Sequence, residues 1–417
     1  MGKSLSLISS SRGSARSAAA VSIAATAAVA ASLVVAVGVA RFLKRKARHH
    51  LNRKAFRNES EVSLAFLGNS MLYYNDMPRF VAYLLEQIVQ QDAVGSFLSS
   101  ACSCILGETH GRANNPTRIR QNSCMRGGAT LTTLWERGNG MRRTFVSSKD
   151  IGAPTVKHLF SSRRRWNFVV MNDHTTSAAR PETHQVTIET LIKKYQPLLF
   201  ERNANAVPIL VMTPAHRRPI ENSSIDLGTV EEFTARVEEG YRAYAIAWNQ
   251  HSRIRQETAS AARIAPVGLA FLHVHKDRPE LWIKLYQDDD LHPSLCGSWL
   301  MALVIIGTIL GGHLPEPTSL VTHERALYDI DAFWREAKVR MRQSPNISHS
   351  KPCFAPSREE ALYLWQVAQD TLDQTSEWNG TFSTHSPPPS SNIDISQEPI
   401  LPLQEHSSEP HATNPAQ

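Results

Sequence analysis

The sequence predicts an α/β fold, a doubly wound parallel sheet flanked by helices. Two observations predict it. Short apolar runs of strand length recur at Val62–Leu67, Asn167–Met171, Val207–Met212 and Ile264–Phe271. Between them lie longer stretches with apolar residues at helical spacing. Strands that alternate with helices are joined by crossovers, which set the strands parallel and cover the sheet with helices.

Taken in order, Val62–Leu67 reads as the first buried strand. A helix over Met77–Gln91 follows, with Asn75 and Asp76 placed to cap it. A second strand is expected within Phe97–Leu106 or just before Gly127. Asn167–Met171 is the next strand, and Thr187–Leu199 a shorter helix. After the strand Val207–Met212 comes a long helix over Thr229–Ser260, charged on one face and apolar on the other. Ile264–Phe271 is read as a further strand. Ser294–Leu310 is apolar, is short for a membrane span, and opens behind Pro293, a residue suited to a first helical turn. It is read as a buried helix packed on the sheet. Glu324–Arg342 and Arg358–Gln374 are predicted amphipathic helices. From Ser376 onward Ser, Pro, Thr, Asn and Gln dominate, and a disordered tail is expected. The organisation is therefore a segment 1–60, a domain 61–315, a helical extension 316–375 and a tail 376–417.

The first segment has its own chemistry. Ala18–Ala40 carries no charge and matches the ~20 residues that a helix needs to span a bilayer. A dense run of Arg and Lys follows it, from Arg41 to Arg57. A single membrane anchor is expected, with that flank cytosolic. The absence of acidic residues before Glu59 also fits an organelle-targeting peptide with a cleaved N-terminus. Met1-Gly2-Lys3-Ser4-Leu5-Ser6 matches a myristoylation pattern as well. Glycosylation sequons at Asn58, Asn222, Asn346 and Asn379 would matter only for a lumenal domain.

The net charge of +7 is mainly a property of this N-terminal flank. No zinc-finger, RNP or basic-zipper spacing accompanies it, so nucleic acid is not an expected partner. Five cysteines with scattered spacing suggest neither a zinc site nor a disulfide framework. They read as free thiols, or as one bridge among Cys102, Cys104 and Cys124.

Four short segments carry possible chemistry. Gly68-Asn69-Ser70 ends the first strand, where a tight turn exposes a serine at the sheet's C-terminal edge. The blander role for Ser70 is a helix cap. Met71 and Leu72 follow, so this is not the Gly-x-Ser-x-Gly elbow. Gly127-Gly128 could bring a backbone N–H to an oxyanion, or could be an ordinary turn. Asn172 ends the strand Asn167–Met171 with an amide, and an Asx turn is its structural alternative. Asp289 and His292 are three residues apart, so one turn can hold both side chains together. A serine becomes nucleophilic when a histidine takes its proton, and a carboxylate fixes that histidine's tautomer.

In this order the four segments resemble the blocks of the SGNH, or GDSL-like, hydrolases. The match is to a divergent branch with Gly-Asn-Ser first, a Gly-Gly-x-x-Leu second block, and Asp-x-x-His-Pro-x-x-x-Gly-Ser last. Here the last block is Asp289, His292, Pro293, Gly297 and Ser298. The resemblance covers roughly Ser63–Gly312. It implies a flavodoxin-like sheet, Ser70 as nucleophile, His292 as general base and acid, and Asp289 as its orienting carboxylate. It also implies an oxyanion hole of the Ser70 and Gly128 N–H groups with the Asn172 side chain. Asn69 replaces the family's usual aspartate, and Met171-Asn172-Asp173-His174 departs from its Gly-x-Asn-Asp block.

The expected activity is therefore a serine esterase acting through an acyl-enzyme, on a small-molecule, carbohydrate or lipid ester. No metal or organic cofactor is required. The rival is a non-catalytic module of the same fold that binds a glycan, lipid or protein. His273-x-His275 offers two imidazoles without an evident third ligand and is read as non-ligating, and Arg163-Arg164-Arg165 is read as a solvated charge run.

Overall fold

The computed structural model describes residues 61–98, 118–141, 152–162, 165–219, 224–254, 261–317, 330 and 356–378. The segment Ala18–Ala40, the residues after 378 and most of Glu324–Arg342 lie outside them. So do Cys102, Cys104 and Cys353. Among the described residues, no helix is long and apolar enough to cross a membrane.

The chain runs β1 (Glu61–Gly68), α1 (Ser70–Tyr73), α2 (Met77–Leu98), β2 (Arg118–Met125), α3 (Leu131–Arg137), α4 (Val156–Phe160) and β3 (Phe168–Met171). It continues through α5 (Thr175–Ala179), α6 (Pro181–Thr190), α7 (Gln196–Arg202) and β4 (Val207–Val211). Then come α8 (Val230–Ile254), β5 (Arg263–Ala265), α9 (Val267–Asp277), α10 (Pro279–Lys284), α11 (Leu295–Ile309) and α12 (Arg358–Gln374). The five strands form one sheet in the order β2-β1-β3-β4-β5, with every pairing parallel. The order reverses at β1, and ligands of open α/β sheets bind beyond the carboxyl ends of the strands at such a reversal.

The sheet's alternating side chains feed two cores. Leu64, Phe66, Val170 and Ile209 face one side with α2, α9, α11 and α12. Ala65, Leu67, Val169 and Leu210 face the other with α3, α7 and α8. Every residue of α11 is buried. That explains a run apolar all round without a membrane: one side meets the sheet and another meets α12.

Of the two places expected for the second strand, the one before Gly127 holds it, and Phe97 and Leu98 belong to α2. The run expected as a strand over Ile264–Phe271 is split, because β5 stops at Ala265 and α9 starts at Val267. Pro266 stands between them and has no N–H to extend the ladder. Val267, Ala270, Phe271 and Val274 are then buried at helical spacing. The Thr187–Leu199 helix is longer than expected, running from Pro181 to Arg202 through a π-type turn at Leu191–Tyr195. Arg358–Gln374 matches its expected bounds and opens with a capping box of Ser357 and Glu360.

Candidate active site

The carboxyl ends of β1, β2 and β3 deliver Ser70, Gly128 and Asn172 to one edge of the sheet. The eight residues from Gly68 to Asn75 tie this edge together. A Cβ on Gly68 would fall 1.8 Å from the Asn172 amide oxygen, so only glycine lets these two strand ends meet. The Asn69 N–H donates to that oxygen at 3.2 Å, and the Asn172 amide donates back to Asn69 Oδ1 at 2.8 Å. Asn69 Oδ1 also accepts from the Met71 N–H, and its amide donates to the Ala129 carbonyl at 3.0 Å. An aspartate here could not make that last bond. Asn69 is also the N-cap of α1, so the capping role considered for Ser70 falls to its neighbour.

Asn75 closes the other side. It takes a left-handed backbone conformation at φ 54°. Its amide then reaches the Pro293 and Ser294 carbonyls at 3.0 and 3.1 Å and Ser298 Oγ at 2.7 Å. The Tyr74 ring lies flat on the His292 imidazole, with centroids 4.0 Å apart and planes 3° from parallel. The serine turn and the histidine turn are thus packed directly on each other.

Within the histidine turn, Asp289 Oδ1 accepts from the Leu291 and His292 N–H groups at 3.0 and 2.9 Å. Its Oδ2 lies 2.6 Å from His292 Nδ1. Burial pushes the Asp289 carboxyl up, but the hydrogen bonds from the His292 ring and backbone, its charge, and the Leu291 N–H together bring it down to about 2. Asp289 is therefore ionised throughout the neutral range, as a tautomer-fixing carboxylate must be.

Asp290, unlike Asp288, is buried, at φ 61°. Its carboxylate is gripped by the guanidinium groups of Arg217 and Arg218. The Arg217 N–H also donates to its carbonyl at 2.8 Å, and the Tyr286 hydroxyl donates to the Ala215 carbonyl at 2.8 Å. The loop after β4 thereby holds the histidine turn from behind. Asp288 remains exposed.

Gly128 is exposed at φ 64°, and a Cβ there would meet nothing within 4 Å. Among the described backbone hydrogen bonds, none takes up the N–H of Ser70 or of Gly128. Asn172 is different. It is fully buried, and its two amide hydrogens already go to Asn69 Oδ1 and to the Asp173 carbonyl at 3.0 Å. The bond from Asn69 fixes which end of the amide is nitrogen. In this arrangement Asn172 holds the serine turn, with no hydrogen left for a substrate.

Sequence reasoning missed several supports. Asp173 is buried and accepts from the Leu131 N–H, the Thr187 hydroxyl and the Tyr244 hydroxyl, each at 2.8 Å. A buried carboxylate is tolerated where donors surround it. His174 follows, with Nδ1 2.9 Å from Thr176 Oγ1, and burial lowers its pKa. His273 and His275 lie on α9 rather than on a strand, and among the described residues no group of three metal-ligating side chains occurs. Cys124 and Cys296 are buried and in no disulfide, so Cys124 joins no bridge.

His216, in the loop after β4, supplies a pH dependence. Its Nδ1 lies 2.9 Å from Ser224 Oγ, and its ring meets Phe233 edge-on. Burial, aided by His174, His292 and Arg180 and opposed by Asp289, pushes its pKa from 6.5 down to about 4. Between those values the unfolded chain binds a proton that the folded chain refuses. This contribution to stability is fully present above the unfolded value and is lost as pH falls towards 4, by up to roughly 3 kcal/mol. Urea midpoints should fall across that window, and His216→Gln should flatten the slope. Equal slopes in both proteins would remove His216 as the group responsible.

No protein-family model matches the chain, and no curated protein matches it. Among solved structures, a DUF4886 family protein from Bacteroides uniformis aligns at TM-score 0.42 and 12% identity, over 75% of this chain and 95% of that one. A gut microbial diltiazem-metabolizing enzyme aligns at TM-score 0.32 and 13% identity, over 60% of this chain and 47% of its own. A candidate GDSL-like lipase from Parabacteroides merdae aligns at TM-score 0.32 and 14% identity, over 60% and 95% of the two chains. Roles for individual residues therefore follow from this chain's own geometry.

Proposed function

We propose that the chain is a serine esterase of the SGNH type, cleaving a carboxylic ester through an acyl-enzyme. One observation carries this reading. The serine turn is packed on the histidine turn through Tyr74 and Asn75, while Asp289 is paired with His292 Nδ1. A carboxylate on Nδ1 leaves Nε2 as the basic nitrogen, which a general base acting on a serine requires.

In the first step Ser70 Oγ bonds to the ester carbonyl carbon and its proton passes to His292 Nε2. The carbonyl π pair moves onto oxygen, where the Ser70 and Gly128 N–H groups donate to it. An oxyanion donor typically contributes ~3 kcal/mol to the transition state. Asn172 would join them only by giving up one of its present acceptors. The alcohol then leaves with the proton held by His292, and water repeats the sequence on the acyl-enzyme. No step calls for a metal or an organic cofactor.

The exposed Gly128 turn suits an acyl group arriving from solvent, and both carbohydrate and lipid esters remain within this reading. Turnover of p-nitrophenyl esters of short and long acids by the purified full chain tests it. A folded chain with no turnover on either set would favour the rival, a binding module of the same fold.

Ala18–Ala40 is proposed as a membrane anchor, on its uncharged length and basic flank. The full-length protein should then resist carbonate extraction. Release into the supernatant, or a mature N-terminus beyond Ala40, would favour the targeting peptide instead.

A further inference from the structure

We infer that the Tyr73 hydroxyl is an oxyanion donor, completing with the Ser70 and Gly128 N–H groups the hole that the Asn172 amide leaves unfilled. The inference rests on the serine-esterase reading above.

Three placements carry it. Tyr73 lies on the same helical turn as Ser70, three residues on, which brings its phenol beside the Ser70 side chain. The same phenol oxygen lies 3.0 Å from where a Cβ on Gly127 would be, so it reaches from the nucleophile to the glycine turn. A carbonyl oxygen whose carbon is attacked by Ser70, and which takes the Gly128 N–H, must sit in the space between those two groups.

The ring is also held in place. It stacks on Tyr74 at 5.4 Å between centroids, and Tyr74 in turn stacks on His292. A phenol fixed by its ring needs little reorganisation to redirect its hydrogen, and such preorganisation makes a donor effective. Burial raises the phenol's pKa, outweighing the opposing effect of the nearby Ser70 hydroxyl, so it stays a donor through the neutral range. The two amide hydrogens that would otherwise supply this position are held by Asn69 and the Asp173 carbonyl.

The step itself balances without proton transfer to or from Tyr73. Ser70 Oγ bonds to carbon, its proton goes to His292, and the π pair goes to the carbonyl oxygen. Tyr73 O–H then donates to that oxygen. When the intermediate collapses, the pair returns and the alcohol leaves with the His292 proton.

Tyr73→Phe removes the hydroxyl and keeps the ring stack. With p-nitrophenyl acetate as substrate, kcat should fall by about 10²-fold while KM stays within about twofold, as loss of a transition-state donor requires. An unchanged kcat, or a raised KM at constant kcat, overturns the inference and leaves the esterase reading intact. A wild-type chain without turnover overturns both. If Tyr73→Phe fails to fold, 3,5-difluorotyrosine placed at position 73 keeps the shape and ionises at lower pH. The alkaline decline of kcat/KM should then move to lower pH. An alkaline limb identical to that of the wild type would overturn the inference.

Discussion

Ser70→Ala should lower ester turnover by on the order of 10⁴–10⁶-fold, as loss of a triad serine does. The fold should survive the change, for a local reason. The helix that begins at Ser70 is capped by Asn69, whose Oδ1 accepts the Met71 N–H, so the serine hydroxyl holds no helix end. Ser70 is also partly exposed, so alanine leaves no sealed cavity. Turnover and circular dichroism of the variant are the measurements. A folded variant that keeps its turnover would place the nucleophile elsewhere.

Asp289→Asn should cost about 10⁴-fold in kcat with little change in stability. The amide loses the charge that stabilises the imidazolium and can present N–H to Nδ1, which moves the ring proton to Nε2. The neighbouring aspartates separate this effect from a general effect of charge. Asp288→Asn should be mild, because Asp288 is exposed. Asp290→Asn should act on stability, because two guanidinium groups depend on that buried carboxylate. Breaking a buried ion pair from one side costs about 3–5 kcal/mol, reduced here because Arg218 is half-exposed. Chemical denaturation and kcat per folded molecule, compared across the three variants, resolve the two roles. A crippled kcat in Asp288→Asn, or full activity in Asp289→Asn, would refute the pairing seen in the turn.

What was legible in the sequence had local causes. Asp289 and His292 are close because three residues make one turn, and the distance of 2.6 Å follows from that spacing. The strands β1, β3 and β4 were legible because strands buried on both faces read as unbroken apolar runs. α11 was separated from a membrane span by its length and by the acidic turn before it.

What stayed hidden depends on partners far away in sequence. Asp290 resembles its two neighbours until Arg217 and Arg218 arrive from the β4 loop. Asn172 reads as an oxyanion amide until Asn69 and the Asp173 carbonyl take its hydrogens. Asn75 reads as a cap for α2, yet its amide crosses to the histidine turn. Tyr73 and Tyr74 resemble core aromatics until the glycine turn and His292 lie beside them. The split at Pro266 had a sequence signal that the apolar run concealed: a proline between β-branched and helix-spaced residues.

Activation of Ser70 is the central claim, and a fluorophosphonate tests it most directly. The full-length chain is reacted at neutral pH and the adduct is located by peptide mass spectrometry. A single adduct on Ser70 is expected, absent in Ser70→Ala and formed far more slowly in His292→Ala. A folded chain that takes up no label, or carries it on another serine, would contradict the account.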